Sequence, residues 1–263
     1  MKLLLVDGLN LVRRIFAALP KPESNPEKND REFDRSGYVL SVTRSLQRAL
    51  RLHSPSHVIV VFEQSGPTWR HRLFPDYKIK RRATPEDVRS SMNEVEKSFA
   101  SVGCNSFSLM GYEADDIIAT VATKVGLHHG QCVILSTDRN YCQLLSPTIT
   151  VFDHFSQRYL DADMVQAKFG IKPWQIPHML ALAGDSTVSI PGIPTIGKRT
   201  AAKLIMDYGS VPSILEAADK IPGKLGSKLF SGKEDAALAL KLFTLKNDID
   251  LGINLNQYRY QPE

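Results

Sequence analysis

Short apolar runs that stop on an acid recur along this chain. Lys2-Leu3-Leu4-Leu5-Val6 is continuous enough for a buried strand, and it ends at Asp7-Gly8. His57-Val58-Ile59-Val60-Val61-Phe62 is a second such run and ends at Glu63, while Cys132-Val133-Ile134-Leu135 is a third and leads into Ser136-Thr137-Asp138. A shorter strand is expected near Asn105–Leu109. Between these runs the spacing becomes helical. Leu9–Ala18 sets Leu9, Val12, Ile15 and Phe16 on one face, and Val39–Leu52 is amphipathic. Thr84-Pro85-Glu86-Asp87, with Pro at the first helical position and acids in the first turn, opens a helix reaching about Val102, and another helix runs from Glu113 to Val125. Pro20–Ser36 has few apolar residues and predicts a mobile loop.

Strands alternating with helices predict an α/β domain with a largely parallel sheet. In such sheets ligands bind at the C-terminal strand edge, which is where the acids fall. Past Tyr159 the pattern turns helical, with helices expected at Trp174–Ala183, Val211–Ala218 and Lys233–Lys246. Ile190 to Ile205 reads as a Pro/Gly-rich loop opening into a helix whose start carries Gly197, Lys198, Arg199 and Thr200. Backbone N–H groups, the helix dipole and two cations there suit a phosphodiester backbone without base reading. A tight helix–helix turn with a solvated basic end is the plainer alternative.

Composition sharpens this only a little. The chain has 263 residues, 43% hydrophobic and 23% charged, as in ordinary globular proteins. A net charge of +5 and a pI near 9.0 lean towards polyanionic partners. Cys104, Cys132 and Cys142 have no metal-like spacing and read as reduced thiols. The apolar run before Asp7 is too short for a signal peptide or membrane span, so a cytoplasmic protein with no membrane partner is expected.

Gly111-Tyr112-Glu113-Ala114-Asp115-Asp116 packs three carboxylates into four residues. They repel one another unless a cation intervenes, although acids also simply favour a helix start. Carboxylates gathered at a sheet edge suit Mg²⁺ or Mn²⁺, which can serve phosphodiester hydrolysis; the His and Cys spacing does not suit zinc. Trp69 to Arg82 holds six Lys/Arg against one Asp, interleaved with Trp69, Phe74 and Tyr77. That mixture fits unpaired nucleic acid, with aromatics stacking on bases, or else a solvated loop.

Leu5-Val6-Asp7-Gly8, Val61-Phe62-Glu63, Phe74-Pro75-Asp76-Tyr77-Lys78, Gly111 to Asp116, Ser136-Thr137-Asp138 and Gly184-Asp185 through Ala201 stand in one order from residue 5 to about 205. In that order the chain resembles the 5′-3′ exonuclease and flap endonuclease family, most closely the bacterial exonuclease IX group. The resemblance implies a PIN-like (5′-nuclease) α/β domain over 1–160 with a helical arch at about 64–102. It further implies a helical region over 161–263 with a helix-three-turn-helix at about 182–208. The implied substrate is branched DNA with a 5′ flap, held by its duplex backbone and cut by a monomer using Mg²⁺, with Mn²⁺ as a substitute.

Carried over by motif, Asp7, Glu63, Glu113, Asp115 and Asp116 fall at a first metal site, with Asp115 the direct ligand, and Asp138 and Asp185 fall at a second. Tyr77, Lys78 and Arg81 match residues that engage the scissile phosphate and the unpaired strand. A K⁺ would be held by backbone carbonyls of Leu182, Ala183, Pro191, Ile193 and Ile196, and Thr195, Ile196, Gly197, Lys198, Arg199 and Thr200 would contact DNA. The chain departs from the pattern at Glu63, a longer carboxylate than the usual Asp, and at Asn140 and Val188, where the pattern has acids. A complete first site, a weak or substrate-completed second site and a need for high Mg²⁺ or Mn²⁺ are therefore expected. A DNA-binding module that has lost useful catalysis is the competing reading, and an RNA-cutting nuclease of the same fold is a third.

Overall fold

A computed structural model describes residues 1–20 and 33–261. Of the loop expected at 20–36, residues 21–32 lie outside the described residues, and Arg35 and Ser36 already belong to a helix.

Six strands form the central sheet: β1 (Lys2–Asp7), β2 (His57–Val61), β3 (Ser106–Phe107), β4 (Gln131–Leu135), β5 (Ile149–Asp153) and β6 (Arg158–Leu160). Their order is β3-β2-β1-β4-β5-β6, all parallel except the β5–β6 pair. The apolar runs form strands because both faces are covered: Leu3, Leu4, Leu5 and Val6 are wholly buried. Leu3 and Leu5 face one core and Leu4 and Val6 the other. On the second face lie α1 (Gly8–Ala18), α2 (Arg35–His53) and α4 (Glu86–Ser101). The first face is covered by α5 (Ala114–Leu127) and by the C-terminal helices. Asp34 caps α2 by accepting the Gly37 N–H at 2.9 Å.

The chain moves from β1 to β2 on one side and to β4 on the other, so the order reverses beside β1. The crevice beyond the C-terminal ends of β1 and β4 is the topological switch point where open α/β sheets bind ligands. Asp7 and Asp138 flank it. Between β2 and α4 stands the short α3 (Trp69–Leu73).

The C-terminal half contains α6 (Ala162–Phe169), α7 (Ile176–Ala183), the hairpin β7 (Gly184–Asp185) and β8 (Ile190–Pro191), then α8 (Lys198–Tyr208), α9 (Val211–Glu216), α10 (Gly223–Ser231) and α11 (Lys233–Phe243). Strands β5 to β8 and helices α3, α6 and α10 are additions to the sequence reading. Among the described residues no helix is long and apolar enough to cross a membrane.

Candidate active site

Asp7 ends β1 and caps α1, with Oδ1 accepting the Asn10 N–H at 3.0 Å. Its Oδ2 accepts the Ser136 hydroxyl at 3.0 Å and the Tyr141 hydroxyl at 3.4 Å. Asp115, in the first turn of α5, accepts the same Tyr141 hydroxyl at 2.7 Å. Tyr141 therefore joins two acids that lie more than a hundred residues apart in sequence. Asp138 caps the 3₁₀ turn Arg139–Leu144 by accepting the Asn140 N–H at 2.7 Å, and its own N–H donates to Ser136. Burial pushes the Asp7 carboxyl up to about 6, helped by repulsion from Asp138 and Glu63. Burial likewise holds Asp115 well above the usual carboxylate range, reinforced by Asp138, Asp7 and Glu113 and opposed by Lys78. Burial first, and repulsion among the acids second, thus favour the neutral forms of Asp7 and Asp115.

A second layer lies beneath. Arg70 is 1% exposed, and its guanidinium donates to Glu113 at 2.8 Å and to both oxygens of Asp116 at 2.6 and 2.9 Å. The Trp69 indole N–H and the Lys246 backbone N–H fill the rest of Asp116. Glu113 also accepts Lys78 Nζ at 2.6 Å and the Tyr77 hydroxyl at 3.0 Å. Burial alone would raise the Glu113 carboxyl; Lys78 and Arg70 outweigh it and hold it below the usual range. Asp116, wholly buried and saturated by these donors, has no oxygen turned to a ligand. Trp69 and Tyr77 are buried, and their polar tips serve the carboxylates, so the expected stacking platform for unpaired bases is not built from these two rings.

The cleft above has a volume of about 690 Å³ and is lined by Asp7, Asp115, Asp138 and Asp185. Arg13, Arg14, Lys78, Arg81, Arg139, Lys168 and Lys198 surround them. Glu63 lines a smaller neighbouring cleft with Arg13, Arg81 and Glu113, near enough to Asp7 to repel it. At the far corner Asp185 Oδ1 accepts the Thr187 N–H and hydroxyl, and its Oδ2 stands 3.8 Å from Lys198 Nζ. Asn140 spends its side-chain oxygen on Gln143, and the Val188 carbonyl accepts the Lys78 N–H at 2.8 Å. Among the described residues no three acidic, His or Cys side chains converge closely enough to hold a cation by themselves.

Helices α7 and α8 and the hairpin between them form a tight connection. A Cβ on Gly184 would stand 2.3 Å from the Gly192 nitrogen and one on Gly192 2.3 Å from the Ala183 carbonyl carbon, so neither position admits a side chain. The Leu182 and Ile193 carbonyls accept the Ile193 and Ile196 N–H groups.

Two family models cover the chain: the 5′-3′ exonuclease N-terminal resolvase-like domain over residues 2–170 and the 5′-3′ exonuclease C-terminal SAM fold over residues 171–263. The chain belongs to the 5′-3′ exonuclease family. A member from Photobacterium profundum, named flap endonuclease Xni, is 39% identical over 260 residues, 98% of this chain and 96% of the relative. One of the same name from Shewanella pealeana is 40% identical over 258 residues, 98% of this chain and 96% of its own. Flap endonuclease Xni is also the name of the exonuclease IX group, the branch of the family that the sequence resembles. A bacteriophage T5 flap endonuclease solved as a complex with DNA and metal ions shares the fold, with a TM-score of 0.73 at 22% identity over 92% of this chain and 89% of that one.

Of the family residues expected at the site, the structure brings Asp7, Asp115 and Asp138 to one crevice, with Lys78, Arg81 and Asp185 around it. Glu113 and Asp116 serve the layer below. Sequence reasoning missed Tyr141 and Ser136 as the links among the acids, and Arg70 as the hub beneath them. A hydroxyl and a phenol within three residues of Asp138 were the available signal for the first two. For Arg70 there was none, since its partners lie 43 and 46 residues away.

Proposed function

We propose that the chain is a divalent-metal-dependent, structure-specific 5′ nuclease that hydrolyses phosphodiester bonds in branched DNA with a 5′ single-stranded flap. The observation that carries this reading is the Tyr141 hydroxyl shared between Asp7 and Asp115 beside Asp138, in a cleft lined by eight Lys and Arg residues. Repelling, all-oxygen donors fit a hard cation such as Mg²⁺ or Mn²⁺. With fewer than three converging ligands, the rest of the shell is left to water and the DNA phosphate, a division that Mg²⁺ favours. When bound, the metal supplies an activated water and charge stabilisation at the phosphate. Asp115 and Asp7 would hold it with Asp138 beside them, Ser136 and Tyr141 would orient these acids, and Lys78 and Arg81 would neutralise the scissile phosphate. Asp185, tied to Thr187 and Lys198, gives the second position a weak hold, consistent with Asn140 and Val188.

The duplex is held without base reading by Thr195 to Thr200. Carbonyls of Leu182, Ala183, Pro191, Ile193 and Ile196 supply a K⁺ site there, supported by the closeness of two backbones that exclude any Cβ at Gly184 and Gly192. A monomer is the form in which the enzyme is proposed to work.

Cleavage of a 5′-flap DNA with Mg²⁺ or Mn²⁺, against Asp115→Ala, tests the reading. Wild type cuts near the flap junction and the variant is slower by at least about a hundredfold, a loss typical of a central electrostatic group. Equal residual cutting by both proteins would point instead to a DNA-binding module without catalysis.

A further inference from the structure

The tripeptide Ile-Pro-Gly occurs twice in the helical half. Ile190-Pro191-Gly192 leads through Thr195 and Gly197 into α8, and Ile221-Pro222-Gly223 leads directly into α10. Each stretch has one glycine pressed on backbone and one facing open space. A Cβ on Gly192 would lie 2.3 Å from the Ala183 carbonyl carbon, and one on Gly226 would lie 1.9 Å from the Ile221 oxygen. Nothing stands within 4 Å of a Cβ on Gly197 or Gly223. The crowded glycine lets each hairpin close, and the open one leaves room for a ligand to approach the backbone.

These two hairpins touch. Lys228 Nζ, on α10, donates to Thr195 Oγ1 at 2.7 Å, and a Cβ on Gly232 just past α10 would stand 3.1 Å from Ile193 Cγ1. Lys224 and Lys228, four apart on a helix, share one face, and Lys220 precedes them in the hairpin. Lys220 and Lys224 are exposed. Among the described residues none of the three forms an ion pair with a carboxylate. From residue 219 to 233 the chain carries four lysines and a single acid, Asp219. Such a stripe, joined to the first hairpin, matches a run of phosphates better than any neutral or basic surface.

We propose that residues 217–231 are a second grip on the duplex backbone, with Lys220, Lys224 and Lys228 on phosphates next to those held by Thr195, Lys198 and Arg199. This rests on the reading of the first hairpin as a duplex grip. Lysines act here as point charges, so the second grip lengthens the footprint without adding sequence preference.

The test is binding of 5′-flap DNAs with duplex arms of different length to the full chain, by fluorescence anisotropy in EDTA so that no cutting occurs. Lys228 is left in place to preserve its contact with Thr195. The double variant Lys220→Ala/Lys224→Ala is expected to bind long-armed DNA roughly tenfold more weakly at about 0.1 M salt, with the slope of log affinity against log salt reduced by about two. The loss should vanish on duplex too short to span both hairpins. Unchanged affinity and slope, while Lys198→Ala/Arg199→Ala weakens binding, would overturn the second grip and leave the first standing. No weakening in either double variant would remove the first grip and the second with it.

Discussion

Asp115 has one hydrogen-bond donor, Tyr141, and acids on several sides, whereas its neighbour Asp116 has both oxygens filled by Trp69, Arg70 and Lys246. The family resemblance singles out Asp115 as the direct ligand, but the residue pattern gives no physical reason to separate these adjacent acids, because the donors come from distant segments. Their substitutions should separate cleanly. With its carboxyl held above the unfolded value, Asp115 binds its proton more readily in the folded chain. Its ionisation therefore opposes folding, by nothing below pH 3.8 and increasingly as pH rises through that value towards the folded one. Asp115→Asn should raise Tm at pH 7 without metal and lose most of that advantage near pH 3. Added Mn²⁺ should raise the wild-type Tm and leave the variant's unchanged. A lower Tm for the variant at pH 7 would contradict the argument from burial and repulsion. Asp116→Ala, by contrast, leaves Arg70 buried without its main partner and should cost about 3–5 kcal/mol in denaturant unfolding.

At the scale of elements, the strands that build the crevice were legible because each is buried on both faces and so reads as a continuous apolar run: β1, β2 and β4 are of this kind. Strands β5 and β6 were not. Ile149-Thr150-Val151-Phe152-Asp153 mixes polar and apolar positions, and its antiparallel partner is only three residues long. Helix α10 escaped because Gly223 and Gly226 break the helical pattern, Gly226 being demanded by backbone contact and not by propensity. The hairpin that carries Asp185 and Val188 was legible as a motif, but its hydrogen bonds to Thr187 and Lys78 were not. Those bonds bear on the second metal position. Asn140→Asp together with Val188→Asp adds two acids to the cleft lining that both positions share with Asp185, without touching the Val188 carbonyl that the Lys78 N–H uses. The double variant should bind Mn²⁺ more tightly and at a higher stoichiometry by calorimetry, and should need less Mg²⁺ for half-maximal cutting. Unchanged stoichiometry would show that these two acids are not what limits the site.

Over the whole molecule, one hydrophobic core runs from Leu3 and Leu5 of the sheet through α5 and α7 to Leu251 and Tyr258. It crosses the join between the two family regions at residues 170 and 171. Polar contacts cross with it. Arg70 donates to the Leu242 carbonyl at 2.8 Å, Lys124 donates to the Ile249 carbonyl at 2.9 Å, and Gln143 accepts the Leu245 N–H at 3.0 Å. Arg70 thus holds the floor of the acidic site and the end of α11 in a single set of bonds, while α11 packs on α7, the first helix of the proposed duplex grip. Loss of either half exposes the apolar face of the other and leaves these buried donors and acceptors unpaired. Thermal unfolding of the metal-free chain should therefore be one transition, with calorimetric and van't Hoff enthalpies equal. A fragment ending at residue 170 should fail to give a cooperative transition. Two resolved transitions in the intact chain, or a stably folded fragment, would mean that the grip on DNA and the acidic crevice are separate bodies, and that Arg70 packs at a seam and does not couple them.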